Sequence, residues 1–438
     1  MKKSSNRLTL FIFIAMLVGI STGYAVWLAY AVPADQLMKP GGVATITQSD
    51  APQVFADRIS ILTDIFLRLV KMIIAPLVFS TLVVGVAKMG DIKAVGRVGG
   101  KTMLWFISAT FVSLFLGLVL VNIMKPGLSL NLPLPDTHAS SGIAKADMTL
   151  RGFFHHVVPD SVIDAMAKNE ILQIVIFAIF FGVAAAAIGE KAQTVVKLMD
   201  SVAHIMLKVT GFVMNFAPFA VFGAMAAIIA TKGLSVLLVY GKFIIQFYLG
   251  LFSLWIVLAL VGWLILGKRV FRLLGGIKDP LLLAFGTASS EAAYPRTMAE
   301  LERFGCDNRI VSFVLPLGYS FNLDGSMMYM TFASLFIAQA YGMHLGIDQQ
   351  ITMLLVLMIT SKGIAGVPRA SLVVIAGTLS MFHIPEAGLL LLLGVDHLLD
   401  MGRSATNVIG NAMATAVVSK WENKLGPGDD SNGILVNK

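Results

Sequence analysis

Charge is what this chain has least of. Only 13% of its 438 residues are charged, against 57% hydrophobic. So few charges cannot coat a globule of this size with a water-binding surface, which excludes an ordinary soluble fold. Cysteine is nearly absent too: the single Cys306 rules out an intrachain disulfide. With no cysteine or histidine cluster beside it, a structural metal site is not expected. Cys306 reads as a packed small residue near a helix end. Enzyme signatures are also lacking. No HExxH, nucleophile elbow, phosphate loop or paired acid and base stands in the polar segments. The net charge of +8 comes from short basic loops rather than one continuous stripe, so nucleic acid is not the expected partner. His155 and His156 fall in a loop and read as solvated. The 23 methionines lack clustered spacing and read as adaptable apolar filler.

What the chain has in abundance is apolar runs close to the ~20 residues that cross a bilayer. They fall at 8–32, 59–87, 100–124, 168–189, 198–230 and 235–267. The first is longer than a signal-peptide core and precedes more such segments, so it counts as a membrane helix. Lys2, Lys3 and Arg7, then Lys88, Lys93, Arg97 and Lys101, then Lys191 and Lys197, then Lys268, Arg269, Arg272 and Lys278 mark alternate loops. The positive-inside rule places those loops and the N-terminus in the cytoplasm.

After residue 267 the pattern breaks up. Pro280 to Leu301 has basic residues at both ends and a polar middle, Thr287-Ala288-Ser289-Ser290-Glu291. Such a middle cannot face lipid, so the segment reads as a re-entrant hairpin buried in protein. Residues 310–341 cross outward but are interrupted at Gly318 to Ser326; residues 350–382 break at Ser361 to Pro368; residues 387–418 return the chain to an inside C-terminus. Hairpin plus span thus occurs twice in opposite orientation, the inverted-repeat plan of secondary transporters. The expected fold is an all-α polytopic membrane protein with eight transmembrane helices and two re-entrant hairpins. The tail after Gly426 is polar and reads as disordered.

In the last span, Asp396, Asp400, Arg403, Asn407 and Asn411 are spaced by four, three, four and four. At about 100° per residue they make one polar stripe, and charges at membrane depth mark a pathway or site by default. An internal Asp400–Arg403 ion pair that only joins helices is the plainer reading. It leaves the second acid and the two amides on the same face without a use. A guanidinium holds a carboxylate bidentately, and Asp400 one turn earlier offers a counter-charge for an ammonium. Together they describe an acidic amino acid. Asn322 and Asp324, beside Gly318 and Gly325, suit a hard cation such as sodium; Asp324 as a cap of the second half-helix is the alternative. Ser289 and Ser290 at one hairpin tip, and Gly363 and Gly366 at the other, can aim backbone N–H groups at carboxylates.

The four segments, in this order, resemble the dicarboxylate/amino acid:cation symporter family, bacterial and archaeal relatives of the excitatory amino acid transporters. The matching stretches are Thr287–Glu291, Asn322–Ser326, Gly363–Pro368 and Asp396–Asn411, within a likeness that spans residues 8–422. The resemblance implies a homotrimer in the bacterial inner membrane, both termini cytoplasmic, working as an elevator without a cofactor. Residues 1–267 would be mostly scaffold with helix three in the moving part, 268–422 the transport core, and 423–438 a cytoplasmic tail. It implies that Arg403 binds the substrate side-chain carboxylate, Asp400 its amino group and Asn407 its α-carboxylate region. Ser326 and Ser404 would assist, with Ser289, Ser290, Gly366 and Val367 at the hairpin tips. Cation coupling would fall to Asn322, Asp324, Gly318, Asn407, Asn411 and Thr110, with any sodium at Asn322 and Asp324.

The expected function is uptake of glutamate or aspartate with cations, the alternative being C4-dicarboxylates such as succinate, fumarate or malate. Family members that carry plain dicarboxylates usually lack the acid at Asp400, which favours amino acids. Several positions depart from the sodium-coupled pattern: Asn411 replaces an acid, Met330 a polar residue, and helix three reads Phe106, Ala109, Thr110 where a tyrosine and two hydroxyls are usual. Each removes an oxygen from a cation site and tilts the expectation toward protons over sodium. Arg369, after Pro368, either reinforces anion binding or reaches the surface. A channel is the rival class, separable by saturable uptake against a gradient.

Overall fold

The computed structural model describes residues 2–30, 51–89, 92–129, 157–233, 235–361, 370–393 and 395–427. The second hairpin's tip, with Gly363, Gly366, Val367 and Arg369, lies outside these residues, as do His155, His156 and the tail beyond 427. The described chain is helical: α1 Lys2–Tyr30, α2 Ala51–Met89, α3 Ile92–Met124, α4 Val162–Lys168, α5 Ile171–Ile188, α6 Gln193–Val213, α7 Ala217–Lys232 and α8 Ser235–Leu266. Then follow α9 Arg269–Gly276, α10 Lys278–Thr287, α11 Ser290–Phe304, α12 Asn308–Phe321, α13 Asp324–Ala340, α14 Ile347–Thr360, α15 Ala370–Met381, α16 Leu389–Leu393 and α17 Asp396–Trp421. No strand occurs among the described residues; one bridge joins Cys306 to Leu425.

Five stretches are apolar and long enough to cross a membrane: Leu10–Tyr30, Ala51–Lys88, Lys93–Leu128, Ile171–Thr231 and Tyr240–Leu266. Several hydroxyls within them are hidden by bonding back to their own helix. Ser80 Oγ donates to the Pro76 carbonyl at 2.7 Å and Thr81 Oγ1 to that of Leu77 at 2.7 Å. In apolar surroundings this back-bonding satisfies groups that water cannot reach.

The helices pack in two groups. One holds α1, α2 and α4–α7, with α1 laid along α7, and α2 against α5, α6 and α7. Gly19 and Gly23 let α1 approach the α7 backbone so closely that a methyl at Gly23 would press on the Ala226 carbonyl and Ile229. The other group surrounds α17, which touches α8, α10, α11, α12 and α13, while α3 lies along α13. Helix α8 is tied to the last helix. Tyr248 Oη donates to the Leu398 carbonyl at 2.6 Å and Trp255 Nε1 to Thr406 Oγ1 at 2.8 Å. The groups meet where α12 and α11 cross α2, and where α10 reaches α1 and α7.

Both expected hairpins have paired arms, α10 with α11 and α14 with α15. The first turns at Ala288, whose φ of 49° is left-handed, an uncommon conformation for a residue with a Cβ. Its base is strapped by the chain end. Asp307 N donates to the Lys424 carbonyl at 3.1 Å and Gly426 N to that of Gly305 at 2.8 Å. Glu422 is held by Arg97 at 2.9 Å and Lys101 at 2.7 Å. Residues 423–427 of the expected tail are thus docked. Cys306 is buried as expected, and burial pushes its thiol up to about 12.

Candidate transport site

The site is built where α17 passes the break between α12 and α13. From Leu399 to Ser419 every residue of α17 is buried except Asp400 and Arg403. Their side chains keep 23% and 15% exposure. Two charges that alone stay reachable on a buried helix line an opening rather than fill a core. They engage each other across one turn. Arg403 Nε donates to Asp400 Oδ1 at 2.8 Å, Nη2 reaches the same oxygen, and Nη1 reaches Ser371 Oγ on α15. Ser404 Oγ also donates to Oδ1, at 3.2 Å. Among the described residues, Asp400 Oδ2 takes no hydrogen bond. The guanidinium lies over the Tyr329 ring, 5.8 Å from its centre, and Tyr329 Oη donates to Asp396 at 2.7 Å.

Asn407 sits one turn deeper and locks the helix break. Its Oδ1 accepts from the backbone N–H of Gly325 at 2.9 Å and of Ser326 at 3.3 Å, and its Nδ2 donates to Ser326 Oγ at 3.2 Å. These are the orphan donors of the first turn of α13. The interruption at Asn322 and Leu323 is therefore paired with a side chain of the neighbouring helix.

One turn deeper again lies a buried polar nest. Asp324, with no exposed area, accepts from Asn322 Nδ2 at 3.1 Å and from Ser113 Oγ of α3 at 3.2 Å. It does not cap α13, whose N-cap, Leu323, makes no side-chain bond. Asn322 Nδ2 also donates to Asn411 Oδ1 at 3.3 Å. Among the described residues, Asn322 Oδ1 and Asn411 Nδ2 are buried without partners, an arrangement that carries a cost unless another group enters. Gly410 makes the nest possible, because a methyl there would overlap the Asp324 carboxylate. Gly318 closes α12 by accepting from Asn322 N at 2.8 Å and faces Asn411 and Phe106.

The structure gathers most of the expected residues, in two clusters. Arg403, Asp400 and Ser404 form one; Ser326, Asn407, Asn322, Asp324, Gly318 and Asn411 form the other. Ser289 caps α11 through the Ala292 N–H at 3.3 Å, and Ser290 begins that helix. Ala284 and Ala293, on the two arms, pack with Val408, which brings the first hairpin beside the turn carrying Asn407. Thr110 is buried on α3, and a second hydroxyl of that helix, Ser113, donates to Asp324. The spacing of three on one helical face was the available signal for Ser113. Tyr329, one turn after Ser326, offered the same kind of signal. Ser371 offered none, standing in an apolar run. Met330 is packed in the apolar core.

Comparison with known proteins completes the picture. The family model described as the Sodium:dicarboxylate symporter family matches residues 8–421. A Bacillus subtilis protein named C4-dicarboxylate transport protein is 44% identical over 376 residues, covering 83% of this chain and 87% of its own. A Geobacillus stearothermophilus protein named Proton/sodium-glutamate symport protein is 44% identical over 365 residues, with 82% and 86% covered. A Proton/glutamate-aspartate symporter of Bacillus subtilis is 43% identical over 363 residues, with 82% and 87% covered. The chain belongs to the sodium:dicarboxylate symporter family, whose members are transporters and not enzymes.

Proposed function

We propose that this protein is a symporter of acidic amino acids, glutamate and aspartate, coupled to protons in preference to sodium. The observation that carries the reading is the Asp400–Arg403 pair, the two charges of α17 that stay reachable between Leu399 and Ser419. A substrate carboxylate would take the guanidinium bidentately, and an ammonium would take the open Oδ2 of Asp400. A plain dicarboxylate brings nothing positive to Asp400, and its second carboxylate would be repelled there. The alternative, a C4-dicarboxylate:cation symporter, is favoured by relatives of that name at equal identity.

For coupling, we propose the nest around Asp324. With an amide at position 411 the nest holds one carboxylate, and one proton is enough to neutralise it before it crosses the membrane. A sodium ion at Asn322 and Asp324, with the Gly318 carbonyl, is the competing arrangement; it would want about six oxygen ligands. The group around α17, with α3 and α8, would move as the elevator against α1, α2 and α4–α7 in a homotrimer, with eight spanning helices and both termini cytoplasmic. The direct test is uptake into proteoliposomes under a pH gradient without sodium, and under a sodium gradient without a pH difference. Glutamate or aspartate accumulation under the first supports the reading. Accumulation under sodium alone overturns proton coupling, and accumulation of succinate without either amino acid overturns the substrate.

A further inference from the structure

Helix α2 carries two cations that the transport site does not use. Arg68 and Lys71 stand three residues apart, on one face of the helix. Both are exposed, and among the described residues neither forms an ion pair or a hydrogen bond. Among the described residues, neither Asp64, one turn before Arg68, nor Glu291 forms an ion pair with them.

The two cations rim an open cavity of about 600 Å³ between α2 and α4, whose walls continue as Met72, Ala75, Met166 and Ala167. The position along the membrane is set by α2 itself. No charge interrupts residues 72–87, and Arg68 precedes Lys88 by 20 residues. At 1.5 Å per residue that is about 30 Å, the thickness of the hydrocarbon core. Lys88 at one headgroup level therefore puts Arg68 and Lys71 at the other, with the apolar walls beside the acyl chains. A third group lines the same cavity. Asn169, held left-handed at the end of α4 with φ of 55°, has a buried Oδ1 with no hydrogen-bond partner among the described residues. An acceptor there calls for a donor, which a phosphate alone does not supply.

We infer that this cavity binds an anionic glycerophospholipid, its phosphate on Arg68 and Lys71, a headgroup hydroxyl on Asn169 and an acyl chain along the apolar wall. Phosphatidylglycerol has that chemistry. Zwitterionic phosphatidylcholine has neither the net charge nor the donor.

The test uses the full-length protein reconstituted with equal amounts of phosphatidylglycerol and phosphatidylcholine, then extracted and weighed intact with its retained lipid. Phosphatidylglycerol should be retained selectively. Each cation near a phosphate is worth about fivefold, so the Arg68→Gln/Lys71→Gln variant should lose roughly thirtyfold in that selectivity. Ala167→Trp fills the cavity without touching the charges and should also expel the lipid, which guards against misfolding of the double variant. Equal retention of the two lipids by the unaltered protein would overturn the inference, as would undiminished selectivity in the double variant. Displacement of the lipid by inorganic phosphate would mark a free-anion pocket instead. Cross-linking of position 68 to a carboxylate of a second copy, without lipid, would mark a subunit contact.

Discussion

The two packing groups are held together by different means. Around α1, α2 and α7 the contacts are mostly apolar and small: Gly19 and Gly23 let backbones touch, and hydroxyls such as Ser80 turn back onto their own helix, while one, Thr63, donates across to the Ala220 carbonyl of α7 at 2.8 Å. Around α17 the helices are joined through side chains, from Trp255 and Tyr248 at α8 to Asn407 at the α12–α13 break and Asp324 at α3. Lipid supplies no hydrophobic drive between helices, so either close packing or polar contact has to hold them. Close packing is cheap and gives a static wall. Buried polar contact is costly unless every member is satisfied, and is retained where chemistry needs it. The difference supports the proposal that α17 is the working element and α1, α2 and α7 its support.

Substitutions separate the two groups most sharply at Arg403. Arg403→Ala removes the guanidinium and leaves Asp400 without its partner, which costs at least about 2 kcal/mol, or thirtyfold or more in affinity. Uptake of acidic substrates should vanish in a variant that still elutes as folded protein. Retained aspartate uptake would make Arg403 structural and move the site.

Two glycine substitutions compare the groups directly. Gly410→Ala drives a methyl into the Asp324 carboxylate, and Gly23→Ala drives one into the α7 backbone. Overpacking should lower stability by about 1–3 kcal/mol in each, visible as a reduced Tm. Only Gly410→Ala should also abolish gradient-driven accumulation. Equal loss of accumulation per folded molecule in both would erase the distinction.

Much of this was legible in the residues. The stripe from Asp396 to Asn411 could be read because its period is helical and its members cannot face lipid. The first hairpin was legible from basic flanks on both sides of a polar centre. The place of α8 was not. Hydropathy shows Ser235–Leu266 as one more apolar span, and its attachment rests on two single hydrogen-bonding groups, Tyr248 and Trp255. Nor was the occupation of Asn407 legible, because an amide on a polar face looks the same whether it meets a ligand or the backbone of a broken helix. Ser371 stayed hidden for a similar reason: a serine in an apolar run usually bonds its own helix.

Asn411→Asp tests the nest at a finer scale. A second carboxylate beside Asn322 and Asp324 restores an anionic ligand, and sodium should then stimulate uptake, by about tenfold if it recovers ~1.4 kcal/mol of ion binding. Unchanged indifference to sodium would place the coupling ion elsewhere.

The smallest expected effect is at the strap. Partial burial would raise the Glu422 carboxyl, but hydrogen bonds from Arg97 and Lys101 outweigh it and hold the group below its ordinary 4.5. Its contribution is therefore present above that value and fades as pH falls through the lower folded value. Arg97 is 57% exposed, so Glu422→Gln should cost no more than about 1 kcal/mol at neutral pH. The Tm difference from the unaltered protein should close in acid; a difference that persists there would mean the variant loses something other than the Glu422 charge.

The central claim, that Asp400 reads an amine, is tested most directly by the ratio of aspartate to succinate uptake in the unaltered protein and in Asp400→Ser. The account predicts a ratio well above one that falls by about tenfold or more on substitution, the loss of one charge-assisted contact made only by the amine. A ratio unchanged by the substitution, or succinate preferred from the start, would contradict it.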